Sequence, residues 1–408
     1  MKRKILYLIL IFMLTTTKNV FAFQETEGQV NTNINPELNQ DDDVNKSSID
    51  EEQILKTQIN TFKINDFLKE TQKYSNEVLE EFNIEQIFLD AVSGKVDNET
   101  IAKKIFSKIG KEFFSCINVL ISIFVIVIIY SILKSISEEL EGSDVSQIVY
   151  FVQYILIASL VTKNFIEIIN LVKETVQNLG AFMNSLIPLL MTLMLYTGSI
   201  STCGLIEPIL LFMINFIGNI IEYIILPIVM IVLAFSILSK ISNKIQLNKI
   251  AKFLKSSIVW FLGVILTLFV TTLSLEGTIS SSVDGITAKT TKAAVSNLIP
   301  VVGKVLGDSV DTVLGCGVIL KNAIGFVGIF VIACICIIPV IKVGILSITY
   351  SLAASVIETI ADEKIVKLID EIGSIFKILL AIICSMAVLL IIGVTLTIKI
   401  SNSGMMYR

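Results

Sequence analysis

The chain has 408 residues, is 54% hydrophobic with a mean hydropathy of +0.80, and carries a formal net charge of -4. It contains no histidine, which excludes Ser-His-Asp and Cys-His catalysis and every His-containing metal site. Apolar runs longer than about 18 residues place it in the membrane class. About half of the acidic residues precede Gly110, the only strongly polar part of the chain, and no basic tract there suggests nucleic acid.

Residues 1–22 read as a secretory signal: Lys2, Arg3 and Lys4, then the apolar Ile5 to Leu14, then Val20-Phe21-Ala22 with small residues where a signal peptidase reads. An uncleaved anchor is the alternative, although ten apolar residues are short for a span. Either way the next segment is exported. Residues 23–48, with Asn31, Asn33, Asn35 and Asp41-Asp42-Asp43, hold too few apolar groups to offset ordering entropy and read as an acidic disordered linker. Residues 49–112 form an extracytoplasmic helical segment. Ile54, Leu55, Ile59 and Phe62 begin one face, Val78, Leu79 and Phe82 continue one, Gly94 breaks the pattern, and Asp97 caps a helix carrying Ile101, Ile105 and Ile109. Too small for a large core of its own, this segment is expected to pack on the membrane region, another copy or a partner.

Residues 113–398 form the multi-pass domain. Spans are expected at about 113–133, 145–162 and 179–196, the last containing Pro188, with residues 163–177 lying along the surface. Residues 204–238 are too long for one straight crossing. Pro208 and Pro227 flank Asn215, Asn219 and Glu222, so two short helices in a broken segment or hairpin are expected. That hairpin would also place Lys240, Lys244, Lys249, Lys252 and Lys255 inside, as the positive-inside rule requires, on a basic helix along the inner leaflet. Further spans are expected at 256–275, 324–341, 344–360 (weak) and 375–398. A C-terminal tail, 399–408, follows on the inside. Cys116, Cys203, Cys316, Cys334, Cys336 and Cys384 all lie in or beside apolar runs and read as small buried residues. No cofactor or metal site is expected.

Between 298 and 325 the chain reads LIPVVGKVLGDSVDTVLGCGVILKNAIG. Gly303, Gly307, Asp311 and Gly315 recur every four residues, a slowly drifting helical stripe, and Gly303-x-x-x-Gly307 permits close helix approach. Asp308, Asp311, Lys304 and Lys321 are charges at the edge of apolar sequence, costly unless solvated or paired. The stretch is either an amphipathic interfacial helix or a partner- or pore-facing element.

This stretch resembles the C-terminal signature of the stage III sporulation protein AE family of endospore formers. The order of signal, exported segment and helical membrane region resembles that family from end to end. The resemblance implies an all-α, polytopic membrane protein with a signal sequence and a small helical extracytoplasmic domain. It implies residence in the mother-cell membrane around the forespore, as a structural part of a secretion-like channel complex needed for late forespore development. The implied partners are other stage III sporulation A-operon proteins including an ATPase-like subunit, a forespore channel protein in the intermembrane space, and the bilayer. A stand-alone permease for an ion or small solute is the competing reading. It rests on Glu207, Asn215, Asn219, Glu222 and Glu358, since intramembrane carboxylates and broken helices build transport sites. An enzyme is disfavoured: without histidine it needs a carboxylate or Ser/Lys centre, and no such spacing stands out.

Overall fold

The computed structural model describes residues 53–74, 82–94, parts of 121–132, 143–241, 247–298 and 302–406. Of residues 143–147, 149, 241, 287–298, 302–311 and 403–406 it describes the backbone alone. The signal, the linker, Asp97, the helix of 101–111, most of the 113–133 span, Lys244 and Arg408 lie outside these residues.

Among the described residues the fold is all-α. Residues 53–61 are helical and lead into α1 (Ile64–Thr71); α2 spans Ile84–Val92. Asn83 caps α2, its Oδ1 accepting from the Gln86 amide at 3.2 Å. Gly94 follows with φ +69°, a left-handed turn that glycine adopts without strain. These helices pack on the apolar bundle. Phe62 meets Tyr196 edge-on at 5.1 Å, Phe67 and Tyr74 meet Phe182 at 6.2 and 6.0 Å, and Phe82 meets Phe330 at 5.4 Å.

Very long helices build the bundle. They are α3 (Ser143–Tyr196), α4 (Ile200–Ile220), a π turn (Ile221–Ile225), α5 (Leu226–Ile241), α6 (Leu247–Leu298), α7 (Val302–Ile357) and α8 (Glu363–Met406). Five segments are long and apolar enough to cross a membrane: Tyr150–Tyr196, Ile200–Lys240, Leu247–Ile286, Thr312–Ile357 and Glu363–Asn402. Helix α8 is central and touches α3, α4, α5, α6 and α7. Its Ile375, Phe376, Leu379, Ile383, Ala387 and Leu390 are fully buried. At Gly373 it approaches the α7 backbone closely, and the Ser347 hydroxyl donates to the Gly373 carbonyl at 3.1 Å.

Three expectations are corrected. Residues 145–162 and 179–196 are one helix, and so are 324–341 and 344–357, with 358–360 in the turn that follows. A polar stretch leaves backbone hydrogen bonding intact, so charge at 163–177 marks a face and not a break. Pro188 and Pro339 both sit inside helices, as prolines in packed membrane helices can. The third concerns 204–238, which is no hairpin. Helical φ and ψ persist at Ile220, Ile221 and Leu226. The interruption is the π turn, where the Leu226 amide reaches back to the Ile221 carbonyl. The wider turn directly precedes Pro227, whose ring clashes with an ordinary helical carbonyl four residues back.

Helix α3 ends at Gly198, φ +84°. The Ser199 amide bonds the Met194 carbonyl and the Gly198 amide the Leu195 carbonyl, both at 3.0 Å. These are the paired bonds of a Schellman cap, and they turn the chain sharply into α4.

Candidate functional site

Two polar groupings interrupt the apolar bundle. The first lies at the α3–α4 turn and involves the end of the glycine-rich stretch. Lys321, on α7, is fully buried. Its Nζ donates to Ser401 Oγ at 2.8 Å and Asn402 Oδ1 at 2.6 Å on α8. Ser401 Oγ lies 2.9 Å from Ser199 Oγ, and Asn402 donates to Asn322 at 3.3 Å. Asp284 of α6, 5% exposed, accepts from the Ser201 and Thr202 amides at 2.8 and 3.0 Å and from Thr202 Oγ1 at 2.6 Å. It therefore caps the N-terminus of α4 from another helix, where a carboxylate meets unsatisfied amides and the positive dipole end. The arrangement is a clamp: a buried cation and a buried anion fix α4, α6, α7 and α8 around one turn.

The glycines near this clamp divide by face. A Cβ on Gly317 would lie 2.9 Å from Tyr196 Cδ1 and 3.0 Å from Thr197 Cγ2. Gly325 and Gly277 would press on Ile398 and Ile400, and Gly328 on Leu186. Gly315 is exposed, and a Cβ there would meet nothing. Close packing within the chain thus uses Gly317, Gly325 and Gly328, while Gly315 makes no such contact among the described residues. Two residues on a helix turn the side chain by about 200°, which puts Gly315 and Gly317 on opposite sides. Gly303, Gly307, Asp308 and Asp311 lie on α7, but their side chains fall outside the described residues.

The second grouping is a polar seam between α3 and α4 with its π turn. Glu222, whose side chain is 12% exposed, pairs with Lys173 at 3.1 Å and accepts from Gln177 at 2.9 Å. Asn184 and Asn215 exchange two hydrogen bonds, at 3.2 and 3.0 Å. Asn219 is exposed on the next turn. Glu207 is half-buried on α4, away from this seam, and Glu358 is exposed in the turn after α7, beyond the Thr312–Ile357 segment. The five polar candidates do not converge; among the described residues only Asn215 and Glu222 make side-chain bonds to another helix, in each case to α3.

Sequence reading missed Asp284, Ser401, Lys173 and Asn184. Asp284 is the one acid between Glu276 and Asp308, a signal hidden by the surrounding Ser and Thr. Cys203, Cys316, Cys334, Cys336 and Cys384 are buried free thiols. Among the described residues no cluster of three metal-ligating side chains occurs.

The stage III sporulation protein AE family matches residues 82–401. The chain belongs to that family. It is similar to stage III sporulation protein AE of Bacillus subtilis (strain 168), with 28% identity over 306 residues, covering 75% of this chain and 77% of that protein. No solved structure matches. The seam lies within the matched region, and so does the clamp apart from Asn402.

Proposed function

We propose that this sporulation protein is a structural, multi-pass component of a channel complex joining mother cell and forespore, seated in the mother-cell membrane around the forespore. Family membership carries the reading. The bundle supports it over a stand-alone permease. A cavity between α4, α6 and α8, lined by Ile217, Leu262 and Leu389, holds about 10 Å³, room for about one water; a larger space of about 520 Å³ lies beside Gln58, Tyr196 and Val313, not along α8. The residues of α8 that would line a central path are instead packed apolar side chains. Its partners in this reading are the other A-operon proteins, the ATPase-like subunit among them, and the forespore channel protein.

Helix continuity supports a definite orientation. With residues 23–111 outside and 113–133 crossing inward, α3 returns outside and α4–α5 comes back inside. Lys240, Lys249, Lys252 and Lys255 are then inside without a hairpin, because merging 145–162 with 179–196 removes one crossing and straightening 204–238 removes another. Residues 53–62 meet Tyr196 and Val313, near turns that this path places outside, whereas Phe82 meets Phe330 within the Thr312–Ile357 segment. It also moves the C-terminus outside, against the expectation of an inside tail at 399–408.

The seam at the π turn favours the permease as second reading, since π turns recur at functional sites. Reconstitution separates the two. A structural component moves no ion or solute alone in vesicles and co-purifies with its partners from sporulating cells. Flux through the purified protein, lost in Glu222→Gln, overturns the structural reading.

A further inference from the structure

The exposed side of α4 and α5 is long and, apart from Asn215 and Asn219, mainly apolar. From Ile200 (64% exposed) through Phe212 (65%) and Tyr223 (69%) to Leu238 (49%), no exposed residue is charged. At 1.5 Å per residue this stripe is about 57 Å long. The hydrocarbon core is about 30 Å thick, and a 40° tilt, the steep end of what helices adopt, extends coverage to about 39 Å. Lipid leaves at least about 18 Å of the stripe in contact with something else, and apolar surface of that extent calls for protein cover.

A second observation concerns Asn219. It lies 19 positions from each end of the stripe, so any slab of about 30 Å set within about 57 Å contains it. Asn219 is exposed and, unlike Asn215, makes no side-chain hydrogen bond to any described residue. An amide facing hydrocarbon needs a partner, and side-chain amides bond across helices in membranes. A Cβ added to Gly218 beside it would meet nothing within 4 Å, so another backbone can come close.

We propose that this face docks a second copy of the same chain through α4, with Asn219 meeting Asn219. A carboxamide is both donor and acceptor and is therefore complementary to itself. Two copies crossing one bilayer in the same direction present Asn219 at the same depth without further adjustment, as a two-fold axis along the membrane normal requires. Phe212 and Tyr223, one on each side of the amide, supply the apolar contact and shield the bond from lipid. The proposal is independent of the channel reading.

Full-length protein reconstituted in vesicles tests it, with Cys116→Ser as background because the five described native thiols are buried. Asn219→Cys under oxidant should give a disulfide-linked dimer. Ile217→Cys, 2% exposed, and Leu268→Cys, on the far exposed side of α6, should not. Without cross-linking, Asn219→Leu should weaken self-association by about 3- to 30-fold, the range expected for one interhelical side-chain bond, and Asn219→Gln should retain it. Three results each overturn the proposal: dimer formation at 219 no faster than at 268; an adduct of 219 in cells only to a different protein; or rapid labelling of Asn219→Cys by a membrane-impermeant maleimide, which would mark a water-lined path.

Discussion

Gly373→Ala places a methyl group where α7 and α8 touch. Its carbon would sit 2.9 Å from Ser351 Oγ, 3.2 Å from the Ser351 amide nitrogen and 3.3 Å from the Ser347 carbonyl. The hydroxyl can rotate away, but the two backbone atoms belong to a helix and cannot. The helices must separate by a few tenths of an ångström, stretching the Ser347–Gly373 hydrogen bond. Overpacking of this kind costs about 1–3 kcal/mol, and alanine's better helix propensity returns about 1 kcal/mol. Gly315→Ala isolates the second effect, since its methyl meets nothing; in the purified protein it should stabilise by about 0.5–1 kcal/mol. The difference between the two variants is then the overpacking term alone, about 1–3 kcal/mol. At about 1 °C per kcal/mol for a chain of this size, melting in detergent should separate them by at least about 1 °C, with Gly373→Ala lower. If Gly373→Ala melts at or above Gly315→Ala, the α7–α8 contact is looser than described and the reasoning fails.

Lys321→Met removes the buried cation and leaves Ser401 and Asn402 facing an apolar chain; it should destabilise by about 1–3 kcal/mol, against about 1 kcal/mol for Ser401→Ala, measured by the same melt. Phe182→Ala, emptying a fully buried site, should cost about 3–5 kcal/mol and make residues 53–74 sensitive to protease; protection equal to wild type would mean that these helices dock elsewhere. If the glycine stripe meets a partner, Gly307→Leu should insert normally yet fail to co-purify with partners; Asp311→Asn, which keeps shape and removes charge, should retain assembly if packing decides. Lys249→Cys should react with an impermeant thiol reagent from the cytoplasmic side only, and labelling from outside would invert the proposed orientation.

Helical class and the location of the apolar segments were legible because hydropathy and 3.6-residue periodicity are local properties. The inward face of 53–62 was legible for the same reason. Where helices end was not. Lys163, Glu167, Lys173 and Glu174 look like a surface break in sequence. In the fold Glu167 pairs with Lys342 of α7 and Lys173 with Glu222 of the π turn, so partners distant in the chain hold the charges on one uninterrupted helix. The polar kink near Asn219 and Glu222 was located correctly but its size was not, since a proline's demand for space can be met by a turn, a kink or one extra residue. Lys321 stood out as a charge in apolar sequence. Its partners at Ser401 and Asn402 are common residue types 80 and 81 positions away, and no spacing rule reaches them.

The π turn also settles a mechanical conflict. Asp284 holds the start of α4 at one angle, and the Tyr154 hydroxyl, donating to the Ile237 carbonyl, holds α5 at another about 56 Å away by helix rise. A rod clamped at both ends admits only a whole-number phase between its clamps. One additional residue rotates the helix beyond it by about 100°, and the π turn stores that residue mid-rod without loosening either end. Residues 221–225 are thus the place where the chain can gain or lose a single residue while both clamped halves keep their facing, so each half can change its surface without retuning the other.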